Sequence, residues 1–347
     1  MQSKKKVIFN TLFLITVFVL TVYGVFHGED LSVIMDTLKS VNKIWLIPGV
    51  ALVVFFIWGE SIIIWYMMRS SRIFLKKTTC FLFSSVGFFF SCITPSASGG
   101  QPMQIYYMKK ENIPIPISTV ILMIVTITYK FVLVIVGIGV FVFGQKFIRT
   151  YMQETYKVFY LGLILNVFCV TFMSVLVFHP ELAKNILVKG MKFLEKFHIL
   201  KEKKERQKKL EESMETYKET AAYLKKNPKV IVNVMLITFA QRTALFAVTW
   251  FVYKAFGLSG TGFWTVVFLQ AVISVSVDML PLPGGMGISE VLFLASFKSV
   301  FHGVLLPAMV LSRGLGYYGE LLISAVFTVV AQLTIGNGKK KEKRINK

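Results

Sequence analysis

Long apolar runs, separated by short polar and base-rich segments, dominate the 347-residue chain. Strict alternation of apolar and polar positions is absent, so the runs predict helices rather than the strands of a membrane barrel. A helix needs about 20 mainly apolar residues to cross a bilayer. Six runs approach or exceed that length and are predicted as full crossings: 7–26, 44–68, 117–143, 156–178, 229–253 and 307–335. The pattern therefore predicts an all-α integral membrane protein, a polytopic helical bundle.

Two further apolar regions, 78–110 and 263–301, are interrupted in the middle by proline, paired glycine and hydroxyl residues. The first break (residues 93–102) reads ITPSASGGQP, and the second break (residues 278–290) reads DMLPLPGGMGISE. In lipid, a broken helix needs its freed backbone groups satisfied by protein or by a wet cavity. Paired interruptions at corresponding places in two halves are typical of a transporter's binding site. Each region is predicted to form a helical hairpin, the first hairpin and the second hairpin.

Composition supports the membrane assignment and excludes several other classes. The chain is 55% hydrophobic with a mean hydropathy of +0.65, more apolar than a soluble domain. Its 3 Cys lie in apolar runs and its 4 His do not cluster, so no metal site and no cofactor are predicted. No nucleophile–base pair is evident, so no catalytic residues are assigned. A net charge of +21 would suggest nucleic acid for a soluble protein, but its distribution here fits a membrane protein instead.

The distribution of basic residues predicts the orientation of the chain. Six crossings place both termini on one side, and that side collects 28 of the Lys and Arg residues against 7 on the other. The positive-inside rule therefore predicts that both termini are cytoplasmic. The loop 144–157, with three bases outside, is a local exception. Counting each hairpin as two crossings does not change the result, so both re-entrant and spanning hairpins stay open.

The same topology predicts two inverted repeats, each with a broken hairpin. Crossing 44–68, the first hairpin and crossing 117–143 run opposite to crossing 229–253, the second hairpin and crossing 307–335. The predicted organisation is a first membrane half (1–180), a cytoplasmic amphipathic linker (181–228), a second membrane half (229–338) and a basic cytoplasmic tail (339–347).

The polar segments carry weaker patterns. Residues 27–43 are predicted as a short loop. In the linker, apolar residues at 4-3-4-3 spacing predict a helix with one apolar seam: Leu210, Met214, Tyr217, Ala221 and Leu224. Two amphipathic helices on the membrane surface and an antiparallel helix pair are both compatible with this pattern. Acidic residues interleave with the bases, which disfavours a nucleic-acid or calmodulin-type target.

Charges inside membrane segments are costly and usually functional. The predicted set is Glu60, Lys130, Arg242, Asp278, Glu290, Arg313 and Glu320. Arg242 and Arg313 are the strongest candidates, because a guanidinium binds a phosphodiester with two hydrogen bonds and stays charged. The alternative for each charge is structural: an ion pair, a helix cap, or snorkelling at a helix end. Because Glu60 and Arg242 have similar depths in matched crossings, we predict that they form an ion pair.

The two breaks supply the remaining candidates for a head-group site. The second break offers backbone amides at a helix N-terminus, a position that favours an anion. Arg313 and these amides are predicted to hold a phosphate, with Arg242 and the first break as the alternative. The residues concerned are Gly284, Gly285, Gly287 and Glu290 in the second break and Pro95, Ser96, Gly99 and Gly100 in the first. The structural alternative is that the glycines only allow close helix packing.

These two motifs resemble the membrane domain of lysylphosphatidylglycerol synthases, the flippase-like part of the bacterial multiple peptide resistance factor. The segments that carry the resemblance are TPSASGG at 94–100 and PGGMGISE at 283–290, with Arg313 early in the last helix. The resemblance covers nearly the whole chain. In that family, a cytosolic domain transfers lysine to phosphatidylglycerol, and the membrane part is thought to move the lipid. The chain ends 12 residues after Ile335, so we expect it to lack the transferase domain.

The resemblance implies a protein of the bacterial cytoplasmic membrane that translocates a phospholipid, such as aminoacyl-phosphatidylglycerol, or another lipid-linked head group. It also implies a link to lipid metabolism and antibiotic resistance. One alternative is a membrane subunit that supports lipid modification, labelled a phosphatidylglycerol lysyltransferase by homology. Another is a non-transporting scaffold for a separate lipid-modifying synthase. Membrane phospholipids are the expected partners, with no nucleic acid, and the sequence favours a protein that is not itself an enzyme.

Overall fold

α-Helices form almost all of the described part of the protein. The computed structural model describes residues 31–196 and 204–335. Its α-helices are α1 Leu31–Ser40, α2 Leu46–Ser70, α3 Lys77–Cys92, α4 Gly100–Lys110, α5 Ile115–Phe143, α6 Gln145–Tyr151, α7 Tyr156–Phe178, α8 Pro180–Lys196, α9 Lys204–Lys226, α10 Pro228–Ala255, α11 Phe263–Val277, α12 Ile288–Ser296, α13 Lys298–Phe301, α14 Leu305–Arg313 and α15 Gly319–Thr334. The predicted crossing 7–26 and the tail 339–347 lie outside the described residues.

Five helical segments in the described residues are long and apolar enough to cross a membrane. They are Lys43–Ser70, Ile115–Phe143, Tyr156–Phe178, Pro228–Ala255 and Lys298–Thr334. Each overlaps one of the predicted crossings, and the last begins nine residues before the predicted crossing 307–335. The last one contains a π-helical turn, Gly314–Tyr318, between α14 and α15. The prediction of an all-α polytopic membrane protein is confirmed.

Helices α2 and α10 pack side by side and antiparallel in the centre of the bundle. The Asn233 side chain of α10 donates to the Tyr66 hydroxyl near the end of α2 (2.9 Å). Midway along, the Gln241 amide donates to the Phe56 carbonyl (2.7 Å). Gly59 allows this close approach, because a Cβ there would lie 2.9 Å from Gln241 Cγ. Residues 60 and 242 are therefore at the same depth, as predicted.

The first hairpin is formed by α3 and α4, which also run antiparallel. Gly87 lies opposite Gln104, and Gly100 lies opposite Ser91, with no space for a side chain at either glycine. The 16 residues of α3 span about 24 Å, less than the ~30 Å of a hydrocarbon core. The outer ends of α3 and α4 lie at the same end of the hairpin, so the chain enters and leaves on one side.

The second hairpin, formed by α11 and α12, enters from the opposite end of the bundle. Its outer ends lie beside the C-terminal end of α10: the Phe263 ring is 5.6 Å from Trp250, and the Phe301 ring is 5.7 Å from Tyr253. The first hairpin begins instead beside the end of α2. Because α2 and α10 are antiparallel, the two hairpin tips meet inside the bundle. The inverted repeat predicts such an arrangement, and the repeat itself stays a prediction.

The two tips share one backbone conformation. Thr94 and Leu282 are both extended, with φ/ψ of −121°/146° and −120°/135°. The residue after each proline then takes a left-handed conformation: Ser96 has φ 50° and ψ 31°, and Gly284 has φ 56° and ψ 18°. The Ser96 hydroxyl donates to the Leu280 carbonyl (3.3 Å), which joins the two tips directly.

The linker contains two helices, α8 and α9, and the predicted seam of α9 faces the bundle. Met214, Tyr217, Ala221 and Leu224 are buried in a cluster with residues of α5, α7 and α10. The Tyr217 hydroxyl donates to the Leu176 carbonyl of α7 (3.1 Å). α9 therefore packs against the membrane helices as well as against α8. Residues 197–203 of the linker lie outside the described residues.

The predicted loop at 27–43 is wrong over part of its length, because Leu31–Ser40 forms α1. Ile34 on this helix is buried, and α1 packs against α14. Apolar residues at 31, 34, 35 and 38 have helical spacing. One acidic residue, Asp36, lies between them, and Glu29 and Asp30 directly precede them, which obscures that pattern.

Candidate functional site

A cavity of about 230 Å³ lies where the two hairpin tips meet, and we call it the central cavity. Its walls come from both tips, α10, the end of α11, α14 and α15. The predicted residues that line it are Ser96, Arg242, Asp278, Gly284, Gly285, Arg313 and Glu320. The fold therefore brings together candidates that are more than 200 residues apart in the chain.

Arg313 already has protein partners at the second tip. Its Nε donates to Glu290 Oε1 (2.8 Å), and a terminal nitrogen donates to the Gly284 carbonyl (3.1 Å). The amide of Gly287 donates to the other carboxylate oxygen of Glu290 (2.7 Å). The Glu290 carboxylate thus occupies the position predicted for a phosphate, between Arg313 and the start of α12. A role for Arg313 in binding lipid stays a prediction.

Lys130 and Asp278 form a second ion pair, which joins α5 to the end of α11. Both side chains are only 10% exposed. The Lys130 ammonium also contacts the Met279 sulfur (3.0 Å). Two opposite charges held this closely neutralise each other within the bundle.

Arg242 is the cation of the site that lacks such a partner. Its guanidinium lies 3.5 Å from the centre of the Tyr129 ring and 4.8 Å from that of Phe56. Its Nε is buried without a hydrogen-bond partner, and no carboxylate in the described residues lies within 4.0 Å of it. The face of an aromatic ring attracts a cation without neutralising it. Arg242 therefore presents at the cavity wall a charge that no carboxylate contacts directly, while Glu320 and Glu60 act on it electrostatically from a greater distance.

The predicted ion pair between Glu60 and Arg242 is wrong. Glu60 instead accepts a hydrogen bond from the Gln104 amide of α4 (2.8 Å). Gln104 reaches Glu60 across Gly87, where a Cβ would collide with the amide group. Glu60 and Arg242 lie at similar depths on neighbouring helices, but each has a closer partner. Gln104 of α4 contacts Glu60, and the Tyr129 ring contacts Arg242.

Glu320 lines the central cavity and connects it to the first hairpin. The Cys92 thiol donates to Glu320 Oε1 (3.7 Å). The carbonyl of Cys92 accepts a hydrogen bond from the Tyr317 hydroxyl (2.9 Å), and the Arg313 guanidinium lies 4.5 Å from the Tyr317 ring centre. Tyr317, itself part of the last crossing, thus contacts both hairpin tips.

The other first-break candidates shape the tip rather than the cavity. The Thr94 hydroxyl donates to the Phe90 carbonyl (2.6 Å) and accepts from the Gly99 amide (2.9 Å). Gly99 packs against Thr94, and Gly100 packs against Ser91. Pro95 begins the turn itself. Of the four predicted residues, Ser96 is the one that lines the cavity.

Sequence reasoning missed Tyr129, Tyr317 and Gln104. Tyr317 follows Arg313 by four residues, a spacing that places both on one helix face, so the pair was detectable. Tyr129 directly precedes Lys130, which offers a weaker signal. Nothing around Gln104 marks it, since its role depends on the distant Gly87.

The charged residues of the site form two neutral ion pairs and one group that has more acidic than basic side chains. Lys130 pairs with Asp278, and Arg313 pairs with Glu290. One guanidinium and two carboxylates remain: Arg242, Glu60 and Glu320. Within residues 31–196 and 204–335, no group of three or more His, Cys, Asp or Glu is placed to hold a metal ion. The arrangement can attract both an anionic and a cationic group at the cavity.

Comparison with known families gives one result. Residues 8–324 match a family model described as the lysylphosphatidylglycerol synthase TM region. The match includes both hairpins and every residue of the central cavity. A search of curated proteins found no significant match to the chain.

Proposed function

The chain belongs to the lysylphosphatidylglycerol synthase transmembrane-region family, and we propose that it translocates a phospholipid head group through the central cavity. The family ties the protein to membrane lipids. Aminoacyl-phosphatidylglycerol is the leading substrate, and another lipid-linked head group is the alternative. The membrane concerned is the bacterial cytoplasmic membrane, with both termini in the cytoplasm.

The unpaired guanidinium of Arg242 is the observation that carries this proposal. A buried charge without a carboxylate partner is costly in a membrane protein. The cost falls when an anion binds, and a phosphodiester has the geometry that a guanidinium prefers. Arg242 therefore binds the phosphate in the proposed mechanism. The ring of Tyr129, which also lines the cavity, supports the guanidinium, whose Cζ lies 3.5 Å from the ring centre.

The size of the cavity also favours a head group over a whole lipid. Its volume of about 230 Å³ is below the ~300–1,000 Å³ of common small-molecule sites. A phosphate with a small polar group fits that space, whereas acyl chains do not. The chains would stay in the bilayer while the head group passes between the hairpin tips.

Glu320 is complementary to a cationic group that accompanies the phosphate in such a head group. Its carboxylate lines the same cavity as Arg242 and has a neutral thiol as its hydrogen-bond partner. An ammonium group next to the phosphate would pair with it. A site with one guanidinium and one carboxylate is complementary to an aminoacyl lipid, which carries both charges.

Lipid movement in liposomes tests the proposal. Purified protein is reconstituted with a fluorescent phosphatidylglycerol, and loss of fluorescence on adding an impermeant quencher reports movement between leaflets. We expect Arg242→Gln to slow movement by at least tenfold, because the charge is removed while hydrogen bonding remains. Arg242→Lys should retain part of the rate, since it restores the charge without the guanidinium geometry.

Arg149→Gln is the matched control, because Arg149 is an exposed arginine on α6 away from the cavity. It should move lipid at the wild-type rate. Equal rates for Arg242→Gln and wild type would refute the phosphate site. Wild-type protein that moves no lipid would favour the scaffold or synthase-subunit alternatives instead.

A further inference from the structure

The charged residues at the centre of the bundle that form no ion pair include more carboxylates than cations. Phosphate binding alone does not explain this excess. Arg242 is accompanied by two carboxylates, Glu60 and Glu320, and neither has a cation within 4.0 Å in the described chain. Their hydrogen-bond donors, Gln104 and Cys92, are both neutral. If both carboxylates are ionised, the group carries one excess negative charge.

The surroundings of Glu320 come from every element that packs around it. Arg242 on α10, Glu60 on α2 and Arg313 on α14 act electrostatically on its carboxylate, and Cys92 on α3 donates a hydrogen bond to it. Tyr317 adds a hydroxyl from the π-helical turn. Glu290 already neutralises Arg313. Arg242 is therefore the one cation in this set that is free to balance Glu320.

A bound phosphate changes that balance. Once Arg242 pairs with the phosphate, it no longer compensates Glu320, and two anions share one low-dielectric cavity. Like charges at short range favour the uptake of a proton by one of them. A phosphodiester is a much stronger acid than a carboxylic acid, so the carboxylate takes the proton.

We propose that Glu320 is a proton-binding site, and that binding of an anionic head group to Arg242 is coupled to protonation of Glu320 from the aqueous phase. This inference rests on the proposed phosphate site and names the ion that accompanies the lipid. The proton and a head-group ammonium are alternatives at Glu320. Phosphatidylglycerol therefore binds with one proton, whereas lysyl-phosphatidylglycerol binds without one.

Calorimetry on the purified full-length protein in detergent tests this coupling. Titrations with a short-chain phosphatidylglycerol in two buffers of different ionisation enthalpy give both the affinity and the number of protons taken up per lipid. We expect about one proton per lipid, and an affinity that falls about tenfold per pH unit over the pH range in which Glu320 is ionised in the free protein and protonated in the complex. Binding is tighter at low pH, because protons are taken up on binding.

Two variants localise the proton. Glu320→Gln should bind phosphatidylglycerol with no proton uptake and no pH dependence, because its side chain is permanently neutral. Glu320→Asp should keep the coupling, since it remains titratable. Glu215→Gln is the control, because Glu215 is an exposed glutamate on α9, and it should behave as wild type.

The outcomes separate the two proposals. Phosphatidylglycerol that binds wild type without proton uptake overturns the coupling and leaves the phosphate site intact. Proton uptake that persists in Glu320→Gln places the proton elsewhere and overturns the assignment, with Glu60→Gln as the next variant. Absence of any binding to wild type refutes the phosphate site and the coupling together. The wild-type measurement alone decides the coupling even if Glu320→Gln fails to fold.

Discussion

The two hairpin tips share one backbone turn, but different side chains occupy its left-handed positions and satisfy its free backbone groups. At the first tip, Ser96 and Ala97 occupy left-handed positions, and a threonine hydroxyl satisfies the freed backbone groups. At the second tip, glycines occupy three left-handed positions, and an ion pair satisfies the freed groups. The first tip is neutral, and the Thr94 hydroxyl that satisfies its backbone groups belongs to the tip itself. The second tip depends on residues of α12 and α14.

This difference shows why glycine is needed at one tip and not at the other. A Cβ at Gly284 would overlap the Tyr317 ring, whereas Ser96 has space for a hydroxyl that contacts the opposite tip. Both positions have positive φ, which costs a residue other than glycine about 1–2 kcal/mol. Steric contact, rather than backbone conformation alone, distinguishes the two tips.

Gly284→Ala should produce the largest effect. It adds the cost of positive φ to overlap with an aromatic ring, and together these should destabilise the protein by about 3 kcal/mol. Thermal unfolding in detergent, followed by size-exclusion chromatography, measures the loss. Gly284→Ala should cost less in a Tyr317→Ala background than in the wild-type protein, because the obstructing ring is then absent. An equal cost in the two backgrounds would show that the ring is not the obstacle.

Glu290→Gln should have the next largest effect, because it leaves Arg313 buried without its ion pair. Removing one partner of a buried pair typically costs about 3–5 kcal/mol, and partial exposure of Arg313 (17%) reduces this to roughly 2–3 kcal/mol. Adding Arg313→Gln should restore stability, since two neutral amides can bond to each other. A double variant less stable than Glu290→Gln would argue against a structural pair and for a separate role of Arg313.

Ser96→Gly should have the smallest effect of the three, although it is the counterpart of the Gly284 substitution. Glycine relieves positive φ, which stabilises by about 1–2 kcal/mol, and loses the hydrogen bond to Leu280, which costs about 1 kcal/mol. The melting temperature should therefore stay close to that of wild type or rise slightly. A strong decrease would mean that the contact between the tips is essential to the fold.

Much of the fold was predictable from the sequence because membrane crossings depend on local composition. The crossing predicted at 156–178 matches α7, and the seam of α9 was visible from its spacing. Helix α1 was missed because it is short and lies in a segment with three acidic residues, Glu29, Asp30 and Asp36. Orientation in the membrane and the inverted repeat remain predictions drawn from charge and order.

The site was predictable as a set of residues but not as a set of partners. Costly intramembrane charges identified Arg242, Arg313 and Glu320. Their partners depend on contacts between distant segments: Gln104 reaches Glu60 only because residue 87 is glycine, and Tyr129 lies against Arg242 from another helix. Such contacts leave no periodic signal in a single sequence.

The π-helical turn at Gly314–Tyr318 separates Arg313 from Glu320 within the last crossing. Its hydrogen bond from the Gly319 amide to the Gly314 carbonyl encloses one more residue than an α-helical bond does. Each residue in a helix corresponds to about 100° of rotation. The additional residue in this turn therefore sets the rotation of α15 about the helix axis relative to α14. Deleting it would turn Glu320 away from the cavity while Arg313 kept its place, so the spacing of charges around the central cavity is encoded in helix winding.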